Sequence, residues 1–482
     1  MTRSAWIAGL VGVICLATFF RGHQLTTTPP GLFFDEAANG TDALHAIHTG
    51  TWAVFYPQNG GREGLFINLQ SLLLRATGVR EPWVLRSASA VFGVLTVLGI
   101  ALLGKELLGQ GTALIAAFFM SVGFWHVNFS RIGLRAISAP FFLTWALFLL
   151  IVSCRALRRK EPSIRSATLG LLAGLVFGLG FHTYTSYRIA PVVFALAMVC
   201  LLRRSSRTAI ATQALVVVTG AAAAGFPLFL YFWRHPAAFL QRISQIAPAG
   251  GTEAVAITIA RNAKDTFAML LTHGDPNWRH NVSGSPELWL PVGLLFVVGL
   301  FWCLTGRPKR FGFPRDWAPG LLLTWLAAAA LPAILSNEGI PHSMRSILMI
   351  PAVYLIAAIG FTGLYRSWPV HWLRPLIAAA FLASVAIQGY TEYFVVWRND
   401  PRVREAFGVR FLSEAYSIRA ALQQHPGSEV YILVQDLGIS DEFYLALPLM
   451  FLTDTADNEN VHYIREGTES QIPANSIVYH IR

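Results

Sequence analysis

About eleven stretches of this chain run most of the way across a bilayer with almost no charge: 4–20, 86–108, 112–129, 137–154, 167–181, 190–202, 209–232, 287–304, 317–335, 346–364 and 375–390. A helix needs roughly 17–25 apolar residues to cross about 30 Å of hydrocarbon, and only a helix or a closed barrel satisfies its own backbone there. The pattern therefore predicts an all-α polytopic membrane protein with about eleven transmembrane helices. The short stretch 190–202 borrows length from its flanks. Composition agrees: 54% of the residues are hydrophobic and 13% charged, against about a quarter charged in an ordinary globular chain.

The net charge of +11 has a topological explanation. With the N-terminus in the cytoplasm, alternate loops face inward, and "CRALRRKEPSIR", "RRSSR", "GRPKRFGFPRD" and "YRSWPVHWLR" hold most of the arginine and lysine. This is the positive-inside asymmetry. It accounts for the charge better than nucleic-acid binding, and no nucleic-acid partner is expected. Cys15, Cys154, Cys200 and Cys303 fall in or at the ends of apolar spans, as small hydrophobes would, with no disulfide or metal spacing. The first span follows Arg3 but "TFFRGHQ" lacks a small-x-small cleavage pattern, so it reads as a span rather than a signal peptide.

That topology leaves outside the segments 21–85 and 234–286, short loops near 130–136, 181–189 and 336–345, and the tail. Every chemically unusual stretch lies on that side: "FFDEAANG", "GGREGLF", "SRIGLR", "HTYTSYR", "HGDPNWRHN" and "NEGIPHSMR". Six polar clusters on one membrane face predict one assembled site. Pro29, Pro30 and Gly31 break the chain before "DEAANGTDALHAIHTG", which puts Asp35 and Glu36 near a helix start, where the macrodipole alone accounts for acids. Single arginines near span ends also serve as snorkelling anchors. The set Arg62, Arg131, Arg135, Arg188, Arg279 and Arg345, with His182, His280 and His342, is harder to dismiss.

A carboxylate facing several guanidinium groups suits transfer from a phosphate-activated donor to a hydroxyl. Arginine holds phosphate oxygens and stabilises the charge that grows as phosphate departs, while the carboxylate takes the hydroxyl proton. A phosphate leaving group needs no protonation, so one acid suffices where glycosidases need two. Direct displacement inverts the anomeric centre.

With "FFDEA" in the first large exterior loop, then "GGREGLF", "GDPNWRHN" and "PHSMR", the chain resembles the GT-C membrane glycosyltransferases. Within them it is similar to the glycosyltransferase family 39 relatives of protein O-mannosyltransferases and aminoarabinose transferases. The resemblance covers roughly 1–390 in topology and implies a GT-C fold, a polyprenyl-phosphate-linked sugar donor and a glycan, lipid or protein acceptor. It implies Asp35 as the base and Glu36 as an orienting acid. For the donor's phosphate and sugar it implies Arg62, Arg279, His280 and Arg345 first, then Arg131, Arg135 and Arg188, with Glu63, Tyr187, Asp275, Asn281 and His342. Tyr184, Tyr187 and Trp278 suit an interfacial belt as well as a sugar, and "GDPN" is turn chemistry.

The resemblance is incomplete. The 234–286 segment is too short for the β-trefoil that protein mannosyltransferases commonly carry. Instead, residues 394–482 read as a small exterior α/β domain following a transmembrane domain at 1–393. "FLSEAYSIRAALQQH" suits a helix, "EVYILV" and "SIVYHI" suit strands, and Gly427, Gly438 and Pro473 punctuate them. No cofactor is expected to be required, and no metal ligands are assigned. A divalent ion on the helical face Asp35, Asn39, Asp42 and His45 is the weaker reading, since hard-metal sites gather carboxylates from several elements. The rival class is a transporter or flippase of a lipid-linked or anionic solute, which would show repeats and midplane groups not evident here. The expected location is the bacterial cytoplasmic (inner) membrane, in contact with its lipid, with the N-terminus cytoplasmic and the C-terminal domain exterior.

Overall fold

Each apolar stretch forms helix, and the chain is a multi-pass membrane protein. Among the described residues, eight helical segments are long and apolar enough to cross a bilayer: Arg3–Gly22, Pro82–Leu108, Arg135–Arg158, Ile164–His182, Thr185–Leu202, Arg207–Arg234, Ile347–Ser367 and Arg374–Trp397. Three of the expected spans, Gln110–Val122, Leu290–Thr305 and Ala318–Ile334, are shorter. The first continues past Gly123 as Phe124–Phe129. The computed structural model describes residues 1–158, 163–203, 206–240, 252–306, 313–337, 339–424, 427–435, 443–456, 460–467, 472–473 and 476–481. The basic connections at 159–162, 204–205 and 307–312, the 241–251 part of the 234–286 segment, Glu338 and Gly438 lie outside the described residues.

Two compact units account for the chain. The first comprises Met1–His23, Ala90–Ser130 and Arg135–Tyr393. At its centre is the helix Ile350–Ser367, with every side chain from Ile350 to Gly360 buried, as suits a segment apolar on all faces. It meets Leu290–Thr305 through glycines: a Cβ on Gly299 would lie 1.9 Å from the Ile356 carbonyl oxygen, and one on Gly360 2.0 Å from that of Leu295. Small residues let helices in a membrane approach backbone to backbone. Buried polar ties add direction. Gln213 Nε2 donates to Ser153 Oγ at 2.7 Å, and Thr362 Oγ1 donates to Thr112 Oγ1 at 3.1 Å.

The second unit is assembled from Gln24–Ser89, Arg131–Leu134 and Phe394–Arg482. The tail expected to stand as a separate domain thus shares a unit with the first large loop. From that loop come the helices Phe34–Thr49 and Gly64–Thr77 and a short antiparallel pair, β1 (Phe55–Tyr56) with β2 (Arg62–Glu63). From the tail come the helices Pro401–Ala406, Val409–Gln424 and Leu447–Thr453, and strands β3 (Val430–Val434), β4 (Val461–Arg465) and β5 (Ile477–Ile481). The strands form a parallel sheet in the order β4-β3-β5, with Ile432 opposite Tyr463 on one side and Tyr479 on the other. The central strand, "VYILV", is a near-continuous apolar run, as a strand buried in a parallel sheet should be. One core joins loop and tail: Leu44, Ile67 and Leu74 are buried in the same cluster as Ile418, Ile432 and Phe451. The Phe451 ring lies so close to Gly40 that a Cβ there would be 2.4 Å from it. Each such large apolar side chain, fully buried, contributes about 1.5–3 kcal/mol.

Candidate active site

The predicted site residues divide between the units. In the second, the helix Phe34–Thr49 places Asp35 and Glu36 in its first turn, where unsatisfied backbone N–H groups favour negative charge. The two acids have different surroundings. Glu36 is fully buried. Its Oε1 accepts from Arg86 Nε at 2.8 Å and from the Gly133 N–H at 2.7 Å; its Oε2 accepts from Arg86 Nη2 at 2.9 Å and the Phe33 N–H at 3.2 Å. Arg86 also donates to the carbonyls of Pro29 at 2.7 Å and Gly31 at 2.8 Å. Gly31 needs its missing side chain: φ is +72°, and a Cβ would lie 2.3 Å from the Phe407 carbonyl oxygen. Glu36 is thus a clamp that fixes the turn entering the helix.

Asp35 is only partly buried. Its Oδ1 accepts from Asn59 Nδ2 at 2.8 Å, and among the described residues it forms no ion pair. One edge of the carboxylate is held while the side chain keeps access to solvent.

The next polar layer is tightly interlocked. Arg62, on β2, donates through Nη1 to Asn39 Oδ1 at 2.7 Å and pairs through Nη2 with Asp42 at 2.5 Å. Asn39 Nδ2 donates to the Gly133 carbonyl at 3.0 Å. Asn39 and Asp42, two of the four residues in the weaker metal reading, therefore share a guanidinium. Glu63 is buried and precedes the helix Gly64–Thr77. Arg131 is fully buried, donates to the Thr28 carbonyl at 2.9 Å and lies 5.1 Å above the Phe394 ring.

In the first unit, the motif "GDPNWRHN" folds into a knot of local bonds. Asp275 Oδ1 accepts from the Asn277 N–H at 2.8 Å, and Asn277 Oδ1 from the Arg279 N–H at 3.0 Å, the self-bonding typical of Asx turns. Asn281 Nδ2 donates to the Ser285 carbonyl at 2.5 Å. Asn128 Nδ2 clasps the carbonyls of Arg279 at 2.7 Å and His280 at 2.9 Å. Asp275 Oδ2 lies 2.9 Å from His280 Nδ1, accepts from the Ser343 N–H at 2.8 Å and is 3.9 Å from His342 Nδ1. Ser343 Oγ donates to Glu287, and Arg345 Nη1 donates to Ser336 Oγ.

Burial works to raise the Asp275 pKa, but His280, by hydrogen bond and charge, with His342 and the Asn277 N–H, outweighs it and leaves the pKa lowered. His342 is held well below the ordinary histidine value, first by burial and then by the positive charge of His280. Glu287, ahead of the helix Leu290–Thr305, is buried. Asp275, His280 and His342 are also the His/Cys/Asp/Glu group whose ligand atoms lie close enough to share an ion, all within 4.8 Å of one another, among the described residues.

The remaining predicted residues sit in helical connections of the same unit. Arg135 lies 5.6 Å over the Tyr184 ring. Tyr187 is fully buried among Phe177 and Phe181, a packing position. Arg188 lies 4.3 Å over the Phe239 ring and donates to that residue's carbonyl at 3.2 Å.

Sequence reasoning missed Arg86, Asn128, Glu287 and Ser343 as parts of these networks. Arg86, Asn128 and Glu287 stood inside or at the ends of expected spans, and a polar group in such a place was itself the signal.

Comparison with known proteins agrees with this architecture. Residues 65–233 match the family of dolichyl-phosphate-mannose-protein mannosyltransferases. No curated protein matches the chain in sequence. Among solved structures, the chain is similar to ArnT from Cupriavidus metallidurans bound to undecaprenyl phosphate, with 12% identity and a TM-score of 0.62 over 100% of this chain and 90% of that one. It is also similar to the oligosaccharyltransferase of Archaeoglobus fulgidus, with 15% identity and a TM-score of 0.57 over 94% of this chain. It spans 64% of that protein's length. The fold is that of the GT-C glycosyltransferases, as the resemblance implied.

Proposed function

We propose that this chain is an inverting glycosyltransferase that moves a sugar from a polyprenyl-phosphate-linked donor to a hydroxyl acceptor. It works at the outer face of a bacterial cytoplasmic membrane, with the N-terminus cytoplasmic and the tail exterior. The observation that carries the reading is the contrast between neighbouring acids: Glu36 is filled by Arg86 and backbone donors, whereas Asp35 keeps solvent access with one oxygen held by Asn59. Such a carboxylate suits a general base. In the proposed step the acceptor oxygen bonds to the anomeric carbon as its proton passes to Asp35. The carbon–oxygen bond to phosphate breaks, and its electron pair leaves on the polyprenyl phosphate. Similarity to a structure holding undecaprenyl phosphate supports the donor class.

Arg279, His280 and Arg345, then Arg62, Arg131, Arg135 and Arg188, with Glu63, Tyr187, Asp275, Asn281 and His342, are proposed for the donor by their chemistry. Arg62, Arg131 and Tyr187 are engaged within the protein, so their part is to position rather than to touch. The acceptor is a glycan, lipid or protein hydroxyl.

The test compares lipid-linked sugars and surface glycans in cells with the intact gene, without it, and with Asp35→Asn at equal protein level. Loss of one glycan and accumulation of its lipid-linked sugar in both altered strains is expected. An unchanged profile across all three overturns the proposal, and full function in Asp35→Asn alone turns the reading toward transport.

A further inference from the structure

We propose that Asp275, His280 and His342 bind a divalent transition-metal ion of the zinc class. One carboxylate and two imidazoles form a donor set of the kind zinc takes in open sites, with three protein ligands and a fourth position for water. In a tetrahedral site with bonds of about 2.0–2.1 Å, neighbouring ligand atoms stand about 3.3 Å apart. Here Asp275 Oδ2 is 2.9 Å from His280 Nδ1 and 3.9 Å from His342 Nδ1. The two separations bracket the required value, and the ligand atoms all lie within 4.8 Å of one another. Binding would displace the proton between Asp275 and His280 and the Arg345 N–H that lies 3.4 Å from His342 Nδ1.

The supports of these residues are those of a built site. Metal ligands need second partners that fix their orientation. Asp275 is held by the N–H groups of Asn277 and Ser343, and the His280 backbone by Asn128. Asp275 and His280 are buried, so neither ligand must be drawn from bulk water. His280 and His342 come from separate loops, 273–287 and 339–346, and Asp275 touches both. An ion there would pin the loops together with a strength no single hydrogen bond supplies. The opposing groups are Arg279 and Arg345, close enough to act on His342 by charge. An ion there binds against their charge, so its affinity must come from the ligand bonds, and two imidazoles suit a zinc-class ion better than magnesium or calcium, which prefer all-oxygen ligands.

The test reads metal, so its failure leaves the glycosyltransferase reading standing. Full-length protein purified in detergent is assayed for metal content, stripped with EDTA and titrated with Co²⁺ alone. About one ion per chain, tetrahedral cobalt absorption and an X-ray absorption signature of two imidazoles are expected. His280→Gln and His342→Gln should each weaken Co²⁺ binding about a hundredfold while eluting as folded monodisperse protein. Wild type that takes up no stoichiometric Co²⁺ overturns the site without recourse to any variant. So does uptake that survives in the double variant, or a ligand set lacking the two imidazoles.

Discussion

Arg86 grips both carboxylate oxygens of Glu36, through Nε at 2.8 Å and Nη2 at 2.9 Å, with neither side chain more than 1% exposed. Removing one member of a buried pair leaves the other charged and unmatched, which costs about 3–5 kcal/mol. Glu36→Gln and Arg86→Gln should each lower the thermal midpoint of the detergent-purified protein sharply and reduce its yield. A Glu36→Gln protein of unchanged stability would contradict the clamp.

Asp35 makes the complementary case. Asp35→Asn should remove about 10²–10⁴-fold of the transfer rate with a thermal midpoint close to wild type, since the side chain is partly solvated. Asn59→Ala, which deletes the donor 2.8 Å away, should cost about tenfold, or 1.4 kcal/mol in the barrier. Initial rates with a radiolabelled lipid-linked sugar measure both.

Gly299 and Gly360 predict a stability effect remote from any chemistry. An added methyl at Gly360 would sit 2.0 Å from the Leu295 carbonyl oxygen, and overpacking of this kind costs about 1–3 kcal/mol. Gly360→Ala should lower the fraction of monodisperse protein after a heating step. Gly12→Ala, where nothing lies within 4 Å, is the control and should be neutral or mildly stabilising.

In the tail, Tyr463 reports on packing through pH. Burial pushes its phenol up to about 12, against weaker lowering by the hydroxyls of Thr455 and Thr453. The unfolded phenol ionises near 10. This group's contribution is therefore complete below about pH 10 and is lost as pH rises toward 12. Wild type should lose stability over that interval more steeply than Tyr463→Phe, and an ultraviolet difference titration of the two should show the late phenol directly.

The bundle was legible because each apolar run carries its own length signal. The acids of the Phe34–Thr49 helix were legible because Pro29, Pro30 and Gly31 announce its start. Their difference was not: Arg86, the partner of Glu36, lies 50 residues away at the edge of an apolar run, and pairing at that separation leaves no local trace. The tail's helix, its central strand and one outer strand were visible in "FLSEAYSIRAALQQH", "EVYILV" and "SIVYHI". Strand β4, "VHYIR", was missed, since its partly buried residues alternate too weakly to mark a face. That the tail shares a core with residues 24–89 was illegible, because apolar surfaces carry no record of which distant surface covers them.

The unit built from Gln24–Ser89 and Phe394–Arg482 constrains how the protein is made. Leu44, Ile67 and Leu74 leave the ribosome early, yet Ile432 and Phe451 of the same core follow only after the intervening helices have been synthesised. At about 5–20 residues per second, that interval is on the order of tens of seconds. Throughout it the early segment carries a raw apolar face, so a nascent chain stalled before Phe394 presents the quality-control machinery with a bundle whose remaining unit has no partner to close on.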